Sequence, residues 1–435
     1  MPAYSSVKPI LSFWAPLAVM WLIMGIEQPT IGAVITRLPN ATQSLAAFEV
    51  AFGLATLIHS PVIHILSAST ALAVDRVSFR RVALLLGWVV AGLTLVHGLI
   101  AIPDVFRYVA GSVLNVPDRV VPLAQRTFLV LLPISAAVGF RRMIQGALIR
   151  VGATKAVGLI MVSRLAATTF FLGSILILAR FSHISLPRGE LIGAIAFVLG
   201  VVTGLLAAIM SARPILDRHL PDTHADAVPM ANIIRVYVPL ALTAIIVLAG
   251  RPLVIFAIGR SNNPTASLAA WPIIQGYVFL FIAVALSFQE VVVARTSTNP
   301  DEARITRRLG IVIGAGLTIL MSAATLTRLD TQWFRVVIGV PGDILPIVLS
   351  SIPILLGLPL LISFVSILSG TLVAAHKTAS ITFGTIASIL IHVILGLTLP
   401  VLSQLSGAYI AATIMVVSSL SQVVVQYIGF TRVRS

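Results

Sequence analysis

The sequence predicts an all-α polytopic membrane protein of twelve transmembrane helices, arranged as two related six-helix lobes. Three observations lead there. Of the 435 residues, 58% are hydrophobic and 10% charged, with a mean hydropathy of +1.06, which is more apolar surface than one water-soluble core can hide. Apolar runs of the roughly 20 residues needed to cross a bilayer recur between short charged breaks. The chain is also written twice. Pro16-Leu17-Ala18 returns as Pro239-Leu240-Ala241, Pro29 as Pro252, Arg37 as Arg260 and Leu45-Ala46 as Leu268-Ala269, all at one offset. Farther on, Phe106-Arg107 and Gly111 match Phe334-Arg335 and Gly339, and Val116-Pro117, Pro122 and Gly146 match Val340-Pro341, Pro346 and Gly370, with the small drift a short deletion would leave.

The expected spans are 9–36, 43–74, 82–103, 122–149, 157–179 and 189–211 in the first half. Those of the second half are 233–259, 266–294, 309–328, 345–372, 379–400 and 406–428. The first span has no small-residue cleavage pattern and runs past the length of a signal-peptide core, so it is expected to be retained. The breaks after the second, fourth and sixth spans carry Arg76, Arg80, Arg81, Arg150, Lys155, Arg213 and Arg218. Those after the first, third and fifth carry Arg37, Arg107, Arg119, Arg126, Arg180 and Arg188, and the whole count favours both termini in the cytoplasm, at a plasma or inner membrane. Six spans return the chain to its starting side, so the two copies should share one orientation.

Segment 103–122, with Phe106, Tyr108, Val109 and Leu114 beside Arg107 and Arg119, suits either an amphipathic piece on the outer surface or an ordinary loop. The polar, breaker-rich stretch 212–232 is expected to link an N-lobe, 1–211, to a C-lobe, 233–435. The break from Arg295 to Arg308, with Asn299-Pro300-Asp301, is the counterpart of that from Asp75 to Arg81. The net charge of +15 therefore follows from membrane topology rather than from a nucleic-acid surface. The absence of cysteine excludes disulfide and thiol chemistry and fixes no compartment.

Charges at membrane depth are costly and are default site candidates. Arg141 and Arg142 lie about two turns before Arg150, and Arg164 at a similar depth beyond Lys155. They form either a basic patch facing the cytoplasmic opening or side chains that snorkel to inner headgroups. A guanidinium fork grips carboxylate or phosphate through two parallel hydrogen bonds, so such a patch would gather anions. Arg251 lies deep in the seventh span beside Pro252, and its repeat-related position is Gln28. Glu27, next to Gln28, is expected to pair with Arg251 as a gate or as a structural clamp. Glu49, Thr56, Ser60 and Ser67 fall on one helical face. Glu49 and Glu27 are candidates for proton exchange, with Glu290 a third carboxylate for coupling or gating. Gln275 and Gln289 fall near one face of the eighth span and can donate to substrate oxygens or to neighbouring helices.

His59 and His64 point to different faces with no ligand partner at metal spacing, so no metal site is expected. His97 and His392 are isolated. Gly200-x-x-x-Gly204 and Gly310-x-x-x-Gly314 are sufficiently read as close helix packing. No phosphate loop, zinc-protease or nucleophile-elbow motif is present, so neither an enzyme nor an ATP-driven pump is expected, and no cofactor.

The pattern Phe13-x-x-Pro16-Leu17, Glu27-Gln28, Leu45-Ala46-x-Phe48 and Pro61 resembles the progressive ankylosis protein family. Pro239-Leu240-Ala241-Leu242, Arg251-Pro252, Arg260 and Gln289-Glu290 resemble its second half. That family sits among the multidrug and toxic compound extrusion (MATE) transporters and lipid-linked oligosaccharide flippases. The resemblance implies a MATE-like fold and export of small organic anions such as citrate, nucleotides or pyrophosphate. The chain ends at Arg434-Ser435 without the long charged tail of the animal members, which leaves room for another cargo.

The expected function is thus a secondary active, alternating-access transporter of a small organic or phosphorylated anion. Substrate-binding candidates are Arg141, Arg142, Arg164, Arg251, Gln28, Gln275 and Gln289; coupling or gating candidates are Glu27, Glu49 and Glu290. Its expected partners are the anion, the lipid bilayer and a proton or sodium ion for coupling, without nucleic acid, in a monomer. A lipid-precursor flippase and a cation-coupled multidrug exporter are the alternatives.

Overall fold

The computed structural model describes residues 7–181, 186–221, 227–296, 300–375, 377 and 379–434. Parts of the expected linker (222–226) and of the break around Asn299 (297–299) lie outside the described residues. Among the described residues eleven helices are long and apolar enough to cross a membrane, and one bent pair passes the same test when taken together. In the first half these are Val7–Ile35, Ala41–Leu72, Arg76–Ile100, Val121–Arg150, Thr154–Phe181 and Gly189–His219. In the second they are Met230–Gly259, Pro264–Arg295, Glu302–Leu326, Leu345–Leu355 with Leu358–Ala374, Ala379–Leu402 and Gly407–Thr431. Trp88, Phe170 and Phe383 stand 74%, 79% and 63% exposed on them, which is what a lipid-facing surface requires. The sixth helix runs on to His219 rather than stopping at 211, because Ala212, Leu216 and Leu220 recur at four-residue spacing and are all buried.

Proline sets most of the breaks within spans. The bent pair turns by 47° before Pro359, which lacks the N–H that would reach Leu355. In the second span a tight helical turn, Ser60–His64, contains Pro61, and Ser60 donates to the Leu57 carbonyl through its Oγ (2.7 Å) as well as its backbone N–H. In the fourth span the helix is interrupted before Pro133. The eighth breaks at Ser287, whose hydroxyl donates to Val284 O (2.7 Å) and accepts from Trp14 Nε1 (2.9 Å).

The duplication read from the sequence recurs in local detail. Asn40 and Asn263 both adopt left-handed backbone (φ 58° and 52°) and both receive the N–H of the serine four residues on, at 3.0 Å. Those serines are buried and reach the start of the last span of their half: Ser44 Oγ donates to Glu190 (2.5 Å), and Ser267 Oγ accepts from Gly407 N (3.0 Å). Segment 103–122 proves to be a short helix, Pro103–Arg107, and a wide π-helical turn, Tyr108–Val113; the second half repeats this as Leu329–Gln332 and Trp333–Ile338. Phe106 and Phe334, at matching positions, are both fully buried, against Phe128 (5.3 Å between ring centroids) and Tyr277 (5.0 Å).

The described chain divides into two compact units that do not coincide with the sequence halves 1–211 and 233–435. Unit A runs from Leu38 to Pro252, and unit B comprises the first span and everything from Leu253 onward. The first span thus groups with the second half, and the seventh span as far as Pro252 with the first half. In unit B the first span packs on the eighth, where a Cβ on Gly276 would lie 3.1 Å from Pro29 Cγ and one on Gly25 would lie 3.0 Å from Phe279. In unit A the seventh span meets the second, where Tyr237 Oη donates to Pro61 O (3.0 Å).

Arg37 locks the first helix within unit B. Its guanidinium donates to Ile338 O (2.7 Å), Val336 O (3.0 Å) and Val337 O (2.9 Å), collecting the carbonyls at the end of the second π-turn. Thr36 Oγ1 adds a bond to Ile338 O (2.5 Å). Arg37→Ala is expected to lower stability by about 1–3 kcal/mol, read as a fall in unfolding temperature in detergent. Arg37→Lys should recover only part of it, because a single ammonium cannot span three carbonyls.

Candidate functional site

Unit A gathers all four membrane-depth arginines. Glu49, on the second span, is fully buried, and Arg251 grips it with both arms of its fork: Nε to Oε1 at 3.0 Å and Nη2 to Oε2 at 2.7 Å. The Arg251 side chain is 19% exposed. The same guanidinium lies 4.8 Å above the ring of Phe52, one turn along from Glu49, so one carboxylate and one aromatic face hold the cation from two sides.

The contact then runs through aromatic rings. Phe52 meets Phe197 of the sixth span edge to face at 4.9 Å, and Arg164 lies 5.2 Å above the other ring. Gly204, two turns past Phe197, makes room for two arginines, since a Cβ there would lie 3.1 Å from Arg141 Cδ and 3.3 Å from Arg164 Cβ. Arg141 is only 3% exposed and donates to Gln145 Oε1 (3.0 Å) on its own helix and toward Met161 Sδ (3.5 Å). Arg142 is half-buried and donates to Ile63 O (3.2 Å), a carbonyl of the Ser60–His64 turn. His59, buried on the second span, donates from Nδ1 to Ala55 O (2.8 Å). None of the four arginines is turned out to the exposed surface.

The structure thus places Arg141, Arg142, Arg164, Arg251 and Glu49 in one bundle. Glu27, Gln28, Gln275, Gln289 and Glu290 belong to unit B. There Glu27 is buried, the glutamines are half-buried and Glu290 is exposed. Three expectations need correction. The carboxylate that engages the Arg251 fork is Glu49 rather than Glu27, because the seventh span packs in the unit of the second span while the first span packs in the other. The polar face of the second span stops at Ser60: beyond the Pro61 break Ser67 is exposed. Gln275 and Gln289 do not share one uninterrupted helical face, because the helix breaks at Ser287 between them.

Phe52, Phe197, His59 and Gly204 were missed by sequence reasoning. Gly204 had a visible signal, as the second glycine of Gly200-x-x-x-Gly204; the space it opens is filled by arginine side chains. In unit B, by contrast, Gly310 and Gly314 do serve close packing, with Ser363 Oγ donating to Gly310 O (2.6 Å). His97 and His392 donate to backbone carbonyls of Phe128 and Ser388, each at 2.8 Å.

The duplication makes the cluster's asymmetry visible. At the offset that aligns Leu45 with Leu268, Glu49 corresponds to Pro272; at the one aligning Gly146 with Gly370, Arg141, Arg142 and Arg164 correspond to Val365, Ser366 and Ser388. At these four positions the first copy is charged and the second neutral, whereas at Arg251 the second copy is charged and the first has Gln28.

No protein-family model and no curated protein matches the chain by sequence. Its fold matches solved structures along nearly its whole length. It superposes on the inward-facing conformation of a multidrug resistance MATE family transporter of the MOP superfamily with a TM-score of 0.66 and 16% identity, covering 100% of this chain and 98% of that one. A MOP superfamily transporter from Pyrococcus furiosus, described under the heading that reverse polarity of its binding pocket suggests a different function, gives 0.69 at 15% identity, over 99% and 96%. The lipid II flippase MurJ, in an inward closed conformation, gives 0.67 at 13% identity, over 96% and 87%. The chain is a multi-pass membrane protein with the MATE fold.

Proposed function

We propose that the chain is a secondary active transporter, working by alternating access, whose cargo is a small organic or phosphorylated anion. The observation that carries this reading is the charge of unit A at membrane depth: it holds Arg141, Arg142, Arg164 and Arg251, the last paired with Glu49. Keeping a charge at this depth costs roughly 2.5–3.5 kcal/mol on insertion scales. Four cations in one bundle give it a positive field, which supports an anionic substrate over a cationic one. A site selective for cationic drugs would place acids there instead.

The pairing of Glu49 with Arg251 gives the site a releasable clamp. A substrate carboxylate or phosphate competes with Glu49 for the same fork, and protonation of Glu49 frees Arg251 for substrate, which couples a proton to anion binding. The resemblance to the progressive ankylosis family supports citrate, nucleotides and pyrophosphate as the first cargoes to try. Basic residues in the breaks support a cytoplasmic location for both termini. The likeness to a lipid II flippase keeps one other reading open, in which the anion is a lipid-linked headgroup.

The test is uptake of labelled citrate, ATP and pyrophosphate into proteoliposomes, with and without a pH gradient, beside a lipid-flipping assay and a quaternary ammonium drug. The proposal expects flux of at least one free anion and none of the drug. Drug flux alone, or lipid flipping without anion flux, would refute it.

A further inference from the structure

Unit A holds a second basic site, away from the arginine cluster, at the end of the bundle where the third span starts and the sixth ends. A cavity of about 330 Å³ lies there, lined by Arg76 and Arg80 from the third span and Arg213 and Asp217 from the sixth. The third and sixth spans each pack on the fourth, whose Ile144 forms part of the wall, so the space is a groove above that helix. Phe79, Ile209 and Leu216 make the remaining wall apolar. Arg76 Nη2 donates to Asp217 O (2.6 Å) and lies 4.0 Å from its carboxylate, which offsets one of the three cations. Arg80 and Arg213 are exposed.

The groove continues toward the membrane. On the third span Arg80, Leu84 and Trp88 follow at four-residue spacing, with Leu84 57% and Trp88 74% exposed. On the sixth, Arg213 is preceded by Met210 and Leu206, 77% and 54% exposed. Guanidiniums at the rim above exposed apolar stripes match a ligand with a phosphate at one end and hydrocarbon at the other.

We infer that this groove binds an anionic glycerophospholipid of the cytoplasmic leaflet, its phosphate between Arg80 and Arg213 and an acyl chain along Leu84 and Trp88. The start of the third span and the end of the sixth, which form the rim, lie at the break side that the basic residues assign to the cytoplasm, where anionic lipids concentrate. The inference uses that orientation but not the identity of the cargo. The neighbouring chain is built to keep the rim in place. Asp75 caps the third span by accepting from Ser78 N (2.6 Å), Arg76 N donates to Pro221 O (3.2 Å), and Arg81 Nη1 donates to Val228 O (2.9 Å), so Pro221 and Val228 are both held at the same helix end.

The test reconstitutes the full chain in nanodiscs of phosphatidylglycerol and phosphatidylcholine, then counts retained lipids by native mass spectrometry after mild extraction. The expected result is retention of phosphatidylglycerol at energies that strip phosphatidylcholine. R80Q/R213Q should lower that preference about tenfold or more, while R119Q, at an exposed site elsewhere, should keep it. Both variants remove exposed charges, and circular dichroism checks that they fold. Equal retention of both lipids, an unchanged preference in R80Q/R213Q, or displacement of the lipid by inorganic phosphate alone would overturn the inference, the last by making this a soluble-anion site. Anion uptake by the wild-type protein reads the transport proposal separately.

Discussion

Glu49→Ala should be the most damaging single substitution in the chain. It removes the carboxylate that both arms of Arg251 hold, and it leaves a guanidinium 19% exposed, at membrane depth, with only the Phe52 face beside it. Breaking a buried pair from one side costs about 3–5 kcal/mol, because the remaining charge keeps its desolvation penalty and loses its compensation. Removing both charges in Glu49→Ala/Arg251→Met is expected to restore most of the stability, since an apolar pair of similar volume carries no such penalty. Transport should stay lost in the double variant, because the fork that receives the substrate is gone. Thermal unfolding and flux measured on the same preparations separate the two effects. Glu49→Gln keeps the shape and one of the two acceptors for Arg251 but cannot exchange a proton. It is expected to fold, to bind anion, and to lose the response of flux to a pH gradient.

The second large effect is expected at the inner arginines. Arg142→Ala and Arg164→Ala each delete one cation from the cluster while leaving Glu49–Arg251 in place. A charge-assisted hydrogen bond to a bound carboxylate or phosphate is worth about 1.5–3 kcal/mol, so anion flux at low substrate concentration should fall by about tenfold or more in each. The conservative replacements should rank by geometry: Arg164→Lys retains the charge but loses the planar face over Phe197, and is expected to recover less than half of the flux. Gly204→Leu offers a test without touching a charge, because its side chain would occupy the space of Arg141 Cδ and Arg164 Cβ. It should impair flux as strongly as loss of an arginine.

Much of the fold was legible because a bilayer demands a signal that composition cannot hide. Each span needs a long apolar run and each turn needs polar or breaking residues, so the twelve expected ranges fall close to the observed helices. The breaks at Pro61, Pro133 and Pro359 were present in the sequence as prolines, but a proline alone does not say whether a span bends, ends or merely kinks. The grouping of the first and seventh spans was not legible. The first and seventh spans are copies of one another with the same Pro-Leu-Ala start and the same internal prolines, and nothing in either states which body it joins.

That grouping also explains the corrected ion pair. Repeat symmetry set Glu27 opposite Arg251, whereas packing carries Arg251 with the second span and therefore to Glu49. The depth of Arg141, Arg142 and Arg164 was readable from helical rise. Their convergence was not, because it depends on Gly204 and on two phenylalanines whose spacing looks like ordinary core.

The central claim, that unit A presents positive charge for an anion, is tested most directly by ligand-dependent thermal stability of the purified protein. A ligand that binds only the folded chain raises its unfolding temperature in proportion to the logarithm of its concentration. The account predicts that at least one of citrate, ATP and pyrophosphate stabilises the wild-type protein, that Arg142→Ala/Arg164→Ala abolishes the shift, and that a quaternary ammonium drug has no effect on either. Stabilisation by the drug and by none of the anions would contradict it.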